Sequence, residues 1–287
     1  MVTRPVKTQP SLESVEIFRT WASQEPSPAH KRVLIGWSPV RQMIQVAEAE
    51  AQKLESKLAA LLKASDARLR DYSLCEPLLV DAGRNRWLQK EREESYSDWL
   101  AWIFEQLQRP PGSAADVIGV LGLEEPELIT NCHSLGFTIE REHYTRYGRF
   151  DLLLTLGKSV TIIVEVKRYS AEASDTAKQA GYSEWLKSKN VQHPKALLLT
   201  TDADREEYDG FKTLRWDDVC IRLRHLLPAL STRIGLVKAA MFVAFVTAVE
   251  TNLLNLVAPS QETDAVERLS YAKTVEHLKR YLGGVAL

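Results

Sequence analysis

The stretch that decides the fold is "GRFDLLLTLGKSVTIIVEVKRY", residues 148–169. Two apolar runs, 150–156 and 160–166, flank Gly157-Lys158. Apolar, partly β-branched runs of this length on either side of a glycine-containing turn predict a hairpin. Against that background Asp151, Glu165 and Lys167 are out of place. Side chains alternate along a strand, so Glu165 and Lys167 share one face while Ile162, Val164 and Val166 take the other. A turn centred on Gly157-Lys158 puts Asp151 across from Val164 or Glu165, according to loop length. Either register brings Asp151 close enough to Glu165 to share a ligand. Two carboxylates in an apolar cleft repel, and one pKa rises unless a cation stands between them. A divalent ion removes that cost, and hard oxygen ligands in a small hydrated site suit Mg²⁺ or Mn²⁺. Asp151 and Glu165 are the expected ligands, and Lys167 adds a charge that holds a water or faces a phosphate. "LGKS", 156–159, looks like the end of a phosphate-binding loop, but position 152 is Leu where that loop needs glycine, and no helix follows.

Outward from the hairpin, "FTIEREHYT" (137–145) alternates like a strand and "KALLLTT" (195–201) reads as a fully apolar one. Residues 94–108 and 171–189 read as helices. Residues 216–227, 236–249 and 262–282 make a helical C-terminal third. Ser38-Pro39 reads as an N-cap with proline at the first helical position, opening a helix to about residue 65. Its apolar stripe, Ile44, Ala47, Ala51, Leu54, Leu58 and Leu61, predicts packing on the chain's own core. A second copy or a partner protein is the sharper alternative, because a narrow stripe of alternating three- and four-residue spacings also suits a coiled coil. The order of elements defines an α/β class.

Here the residues reach a family. Asp151, then Glu165-x-Lys167 on the next strand, resembles the PD-(D/E)XK nuclease superfamily, the restriction-endonuclease-like fold. The helix after the motif carries "QAGY", so Gln179 and Tyr182 look like the QxxY signature of many such nucleases. The helix before it, "EESYSDWLAWIF", is similar to the E-x-x-x-S-x-x-L-A pattern of a subset, on Glu93, Ser97, Leu100 and Ala101. The resemblance covers residues 90–203. Phe150 stands where the name-giving proline would be. Glu94 stands where the subset often has asparagine, so either Glu93 or Glu94 faces the site.

The resemblance implies an αβββαβ core with a mixed central sheet and helical N- and C-terminal additions. It implies a Mg²⁺- or Mn²⁺-dependent nuclease, an endonuclease on DNA by preference, of a restriction, phage-defence or mobile-element system. The Val166 backbone carbonyl would join Asp151 and Glu165 as a ligand, and Glu93 would complete the metal site. Lys167 would orient the attacking water, and Gln179 would support Lys167 or the phosphate. Lys167, Arg168, Lys178 and Tyr182 are the expected nucleic-acid contacts, with packing at the helix face as the plainer role for Tyr182. Lys178, Lys187 and Lys189 form a local strip for which a solvated helix face is the default. The expected organisation is an irregular segment 1–37, a helical arm 38–88, a nuclease core 89–203 and a C-terminal extension 204–287 packed on the core. The alternatives are a nuclease-fold binding module without turnover, recognising nucleic acid or protein, and an assembly component docking through the 38–65 helix.

Composition narrows the field. The chain has 287 residues, 45% apolar and 26% charged, with a net charge of -1. A protein that coats duplex DNA non-specifically is usually basic, so nucleic-acid contact here needs a local patch. Cys75, Cys132 and Cys220 are far apart and form no CxxC pair, which predicts a reducing, cytoplasmic setting. "MVTRPVKTQPSLES" has no signal-like apolar stretch. "LVKAAMFVAFVTAV" (236–249) is short, carries Lys238 and runs into Glu250, so it predicts a buried helix rather than a membrane span. His133, His143, His225 and His277 make no zinc spacing and are expected at the surface or as satisfied core groups. Trp99, Trp102 and Trp185 fall at helical spacing and are expected in the core. No GxSxG elbow occurs.

Overall fold

The hairpin read from residues 148–169 lies at the middle of a sheet. Strand β2 (Gly148–Leu156) pairs antiparallel with β3 (Val160–Val166), from Leu156 against Val160 to Leu152 against Val164. Strand β1 (Phe137–Thr145) pairs antiparallel with the other side of β2. Strand β4 (His193–Thr200) runs parallel to β3, and β6 (Phe211–Arg215) runs parallel to β4. The two-residue β5 (Glu207–Tyr208) pairs antiparallel with β6, and the order β1-β2-β3-β4-β6-β5 makes a mixed, six-stranded sheet. The computed structural model describes residues 37–80, 88, 92–109, 114–123, 125, 128, 137–156, 159–168, 176–189, 193–201, 207–208, 210–258 and 270–283, with the side chains of 37–40, 176–180 and 207–208 excepted.

Helices cover both faces, which is why β2 and β3 are apolar on both. On one face Leu152, Leu154, Val164, Val166, Leu197, Leu199 and Leu214 meet the buried sides of α1 (Trp37–Arg70), α2 (Glu93–Gln108) and α3 (Ala114–Val120). The same cluster takes in α5 (Trp216–Arg233), α6 (Leu236–Asn252) and α7 (Tyr271–Leu282). On the other face Leu153, Ile163, Ala196, Leu198 and Phe211 pack with Tyr182 and Leu186 of α4 (Thr176–Ser188). The chain divides into two compact units, Met1–Val46 and Ala47–Leu287, so the second part of α1, the sheet and the C-terminal helices belong to one unit.

Several expectations change. The first helix runs on to Arg70, and its stripe splits in two. Ala51, Leu58 and Leu61 are fully buried in the chain's own core with Leu54 packed against it, while Met43, Ile44 and Val46 are exposed. The Leu54–Leu58 stretch is therefore not a face for a second copy or a partner protein. Burying one such leucine is worth about 1.5–3 kcal/mol, and the core takes it. The sheet does not stop near residue 203: β5 and β6 extend it to Arg215, and α3 is an added helix between α2 and β1. Residues 1–36, 171–175 and 261–269, with Cys132, His133, Gly157 and Lys158, lie outside the described residues. Helix α6 is buried over most of its length, and no helix among the described residues is long and apolar enough to cross a membrane.

One part of the core is ionic. Arg224 of α5 is fully buried and donates to Glu76 from Nη1 at 2.9 Å and Nη2 at 2.6 Å. It also donates to Glu250 of α6 from Nε at 2.6 Å and Nη2 at 2.7 Å. Ser65 donates to Glu76, whose other oxygen takes the Leu78 N–H at 3.0 Å. His277 of α7 meets Glu250 at 2.8 Å through Nε2 and Asp217 through Nδ1. An ionised carboxylate only accepts, so both ring nitrogens must carry protons and the ring is an imidazolium. Burial alone would raise the Glu250 carboxyl, but Arg224 and His277 outweigh it and hold it down at about 2. Burial alone would lower His277, but Glu250 and Asp217 push it up. Two cations thus face two buried glutamates, and α1, the 3₁₀ turn Pro77–Leu79, α5, α6 and α7 are tied at one point.

Candidate functional site

The site forms where the pairing of β2 opens on both sides. Against β1, the register passes from Phe150–His143 to Leu152–Arg141 and leaves out Asp151 and Glu142. Glu142 has φ 53°, a left-handed backbone that a non-glycine residue seldom adopts. Against β3, the ladder ends at Leu152–Val164, and one step further Asp151 stands across from Glu165. That selects one of the two registers left open by the sequence. The alternation of β2 also breaks there: Phe150 packs in the same cluster as Leu153, not with Leu152 and Leu154. Released from the ladder, Asp151 accepts the Val166 N–H on Oδ2 at 2.8 Å.

Helix α4 secures the chain just before Asp151. Phe150 is buried edge-on to Tyr182, with ring centres 4.4 Å apart, and against Trp185 at 4.8 Å. Tyr182 is fully buried and donates its hydroxyl to the Arg149 carbonyl at 2.8 Å. The expectation of a nucleic-acid contact at Tyr182 is therefore corrected: the side chain is a strut between α4 and β2, the packing role read beside it. Gly181 of "QAGY" has its own reason, because a Cβ there would stand 2.8 Å from the Tyr147 ring. Gln179 and Lys178 lie on α4, and their side chains are outside the described residues. Lys187 and Lys189 are exposed, with the Lys189 ammonium 4.4 Å from the Trp185 ring centre.

Glu165, Lys167 and Glu93 complete the cluster. Glu165 is only 2% exposed although it is an acid on a central strand. Lys167 Nζ lies 3.7 Å from Glu165 Oε1 and 4.0 Å from Glu93 Oε2. Glu93, at the start of α2, accepts the Arg168 N–H on Oε1 at 3.1 Å, while Glu94 is exposed, so Glu93 is the one that faces the site. Ser97, Leu100 and Ala101 are buried and seat α2 on the core, with the Ser97 hydroxyl donating to the Glu94 carbonyl at 3.0 Å. Asp98 on the same helix pairs with Arg141 of β1, and its carboxyl is pushed up by burial against the pull of that arginine. Side-chain exposure rises from 3% at Glu165 through 15% at Lys167 to 42% at Glu93, so the cluster opens toward solvent in that direction.

As a metal centre the donors are hard oxygens: the Asp151 and Glu165 carboxylates and the Val166 carbonyl. Among the described residues no three acidic, histidine or cysteine side chains are grouped to hold a metal. Glu93 does not join the two strand carboxylates in such a group and instead engages Arg168 and Lys167. Two carboxylates and retained waters are an ordinary set for Mg²⁺, so the residues present fit that ion. The sequence did not point to the Lys167 carbonyl, which takes the Trp216 indole N–H at 3.0 Å, or to Thr201, whose hydroxyl donates to the Arg168 carbonyl at 2.8 Å. No known family model matches this chain, and no curated protein or solved structure matches it.

Proposed function

We propose that the chain is a metal-dependent nuclease of the PD-(D/E)XK kind, hydrolysing phosphodiester bonds of nucleic acid, with DNA the favoured substrate. The observation that carries the reading is the meeting of Asp151, Glu165 and Lys167 where β2 and β3 part, with Lys167 Nζ 3.7 Å from a buried Glu165. Asp151, Glu165 and the Val166 carbonyl would hold Mg²⁺ or Mn²⁺. A bound ion would supply polarisation of a phosphate oxygen and a lowered pKa for a water at the site. The chain's own residues do the rest. Lys167 presents an ammonium to the attacking water or to the charge that develops on phosphate. Asp151 is aimed by the Val166 N–H, which fixes one of its oxygens. Glu93 holds the Arg168 amide and so braces the strand end that carries Lys167.

The test is cleavage of supercoiled plasmid, linear duplex, single-stranded DNA and RNA by the purified protein with Mg²⁺, Mn²⁺ or EDTA. The expected result is metal-dependent cleavage, lost in Lys167→Ala and Asp151→Asn. Binding without cleavage under every metal would replace this reading with the binding module that the same fold allows.

A further inference from the structure

The parallel strands β3, β4 and β6 finish at the same end of the sheet, and the residues just beyond their ends converge on Lys167. Lys167 N–H makes the last ladder bond, to the Leu199 carbonyl at 2.7 Å. Beyond it the ladder stops. The next three polar backbone groups are all taken by side chains from different elements. The Lys167 carbonyl accepts from Trp216 Nε1 at 3.0 Å, the Arg168 N–H goes to Glu93 at 3.1 Å, and the Arg168 carbonyl accepts from Thr201 Oγ1 at 2.8 Å. A strand end left to water needs none of these partners.

We propose that Trp216 and Thr201 are positioning residues, which fix the successive 167–168 and 168–169 peptides so that the Lys167 ammonium stands against Glu165. The inference rests on the nuclease reading above and adds two residues that touch neither metal nor substrate. Trp216 is the first residue of α5, directly after β6, and is fully buried edge-on to Tyr96 with ring centres 5.9 Å apart. An indole N–H only donates, so a buried Trp216 has one use for it, and the use here is the lysine's carbonyl. The start of α5 is itself anchored, because Asp217 and Asp218 are held by His277 and Arg280 of α7. The C-terminal helices therefore reach the site through the peptide bond between Trp216 and Asp217. Thr201 plays the matching part from the end of β4. The Lys167 N–H held by Leu199 and the Lys167 carbonyl held by Trp216 fix the two peptide planes that meet at the Lys167 Cα, and Thr201 holds the plane that follows, so the direction of the Cα–Cβ bond and the arc its ammonium can sweep are set.

The experiment compares Trp216→Phe, Thr201→Val and Thr201→Ser with wild type in two ways. Amine acylation read by peptide mass spectrometry reports how freely the Lys167 ammonium moves, with exposed Lys63 and Lys273 as internal standards. Steady-state cleavage with Mg²⁺ reports kcat and KM separately. Trp216→Phe and Thr201→Val should acylate faster at Lys167 alone and lose roughly 10- to 100-fold in kcat, with KM changed by less than about twofold. Thr201→Ser, which keeps the hydroxyl, should restore both. If Trp216→Phe fails to fold, the Thr201 pair decides. Unchanged acylation of Lys167 in Thr201→Val and in any folded Trp216→Phe overturns the proposal whatever their rates. A wild type that cuts nothing under any metal removes the nuclease reading, and the acylation comparison still decides whether these residues hold Lys167.

Discussion

Arg224 reaches Glu76 and Glu250 through four contacts of 2.6–2.9 Å, whereas Lys167 stands 3.7 Å from Glu165 and 4.0 Å from Glu93. Both clusters set carboxylates against a cation inside the same compact unit, and they are built in opposite ways. In the first, the guanidinium fork matches two carboxylates, all three side chains are at 0% exposure, and His277 supplies the second positive charge. In the second, a point-like ammonium at 15% exposure sits off hydrogen-bond distance from two acids. A filled set of short bonds can only hold the fold. The second set is looser, and its exposure rises from Glu165 to Glu93.

The sharpest way to break that contrast is to remove one cation or one acid from each cluster. Arg224→Ala leaves Glu76 and Glu250 buried against one another and should cost about 3–5 kcal/mol in urea unfolding. Glu165→Gln should cost well under half of that, yet lower cleavage by at least roughly 100-fold, a barrier change of about 2.7 kcal/mol. Equal stability losses would mean the strand-end cluster is structural too.

A smaller effect separates the clusters by ligand. Mg²⁺ at ten times its Kd should raise the unfolding free energy by about 1.4 kcal/mol, because only the folded carboxylate pair binds it. Asp151→Asn should lose that gain, and Arg224→Lys, if it folds, should keep it. A calorimetric shift that survives in Asp151→Asn would put the metal elsewhere.

The smallest effect is a slope with pH. His277 is held above its ordinary 6.5, so its contribution is complete below 6.5 and is lost as pH rises through the raised folded value. Glu250, held at about 2 against an ordinary 4.5, contributes fully above 4.5 and loses that contribution as pH falls toward 2. The stability difference between wild type and His277→Gln should therefore shrink on the alkaline side. Urea midpoints from pH 6 to 9 measure it, and a constant gap would show that the imidazolium contributes nothing.

Legibility in the sequence divides along the same line. The β2–β3 hairpin was legible because long apolar runs and a glycine turn have few other readings, and Asp151, Glu165 and Lys167 were legible as charges inside them. Their exact register was not, since it depends on a turn length that composition leaves open. Glu93 could be separated from Glu94 only by seeing which one α2 aims at Arg168. The ionic core was invisible. Arg224 and Glu76 are 148 positions apart, and an arginine in "RLRHLL" or a glutamate at the end of an apolar helix reads as surface. Strands β5 and β6 were missed because "EYDGFKTLR" is short and polar, and only pairing with β4 makes it a strand. Trp216 and Thr201 gave no signal at all, because their work is done on another segment's backbone.

The kink at Glu142, across from Asp151, also bears on the margins of the sheet. One margin is β5, only two residues long; the other is β1, which carries Glu140 and Arg141 and turns left-handed at Glu142. A strand arriving from another molecule could follow residues 137–141 and would then fall out of step. The same distortion that takes Asp151 out of the ladder thus shortens the stretch of β1 that a strand from another chain could follow.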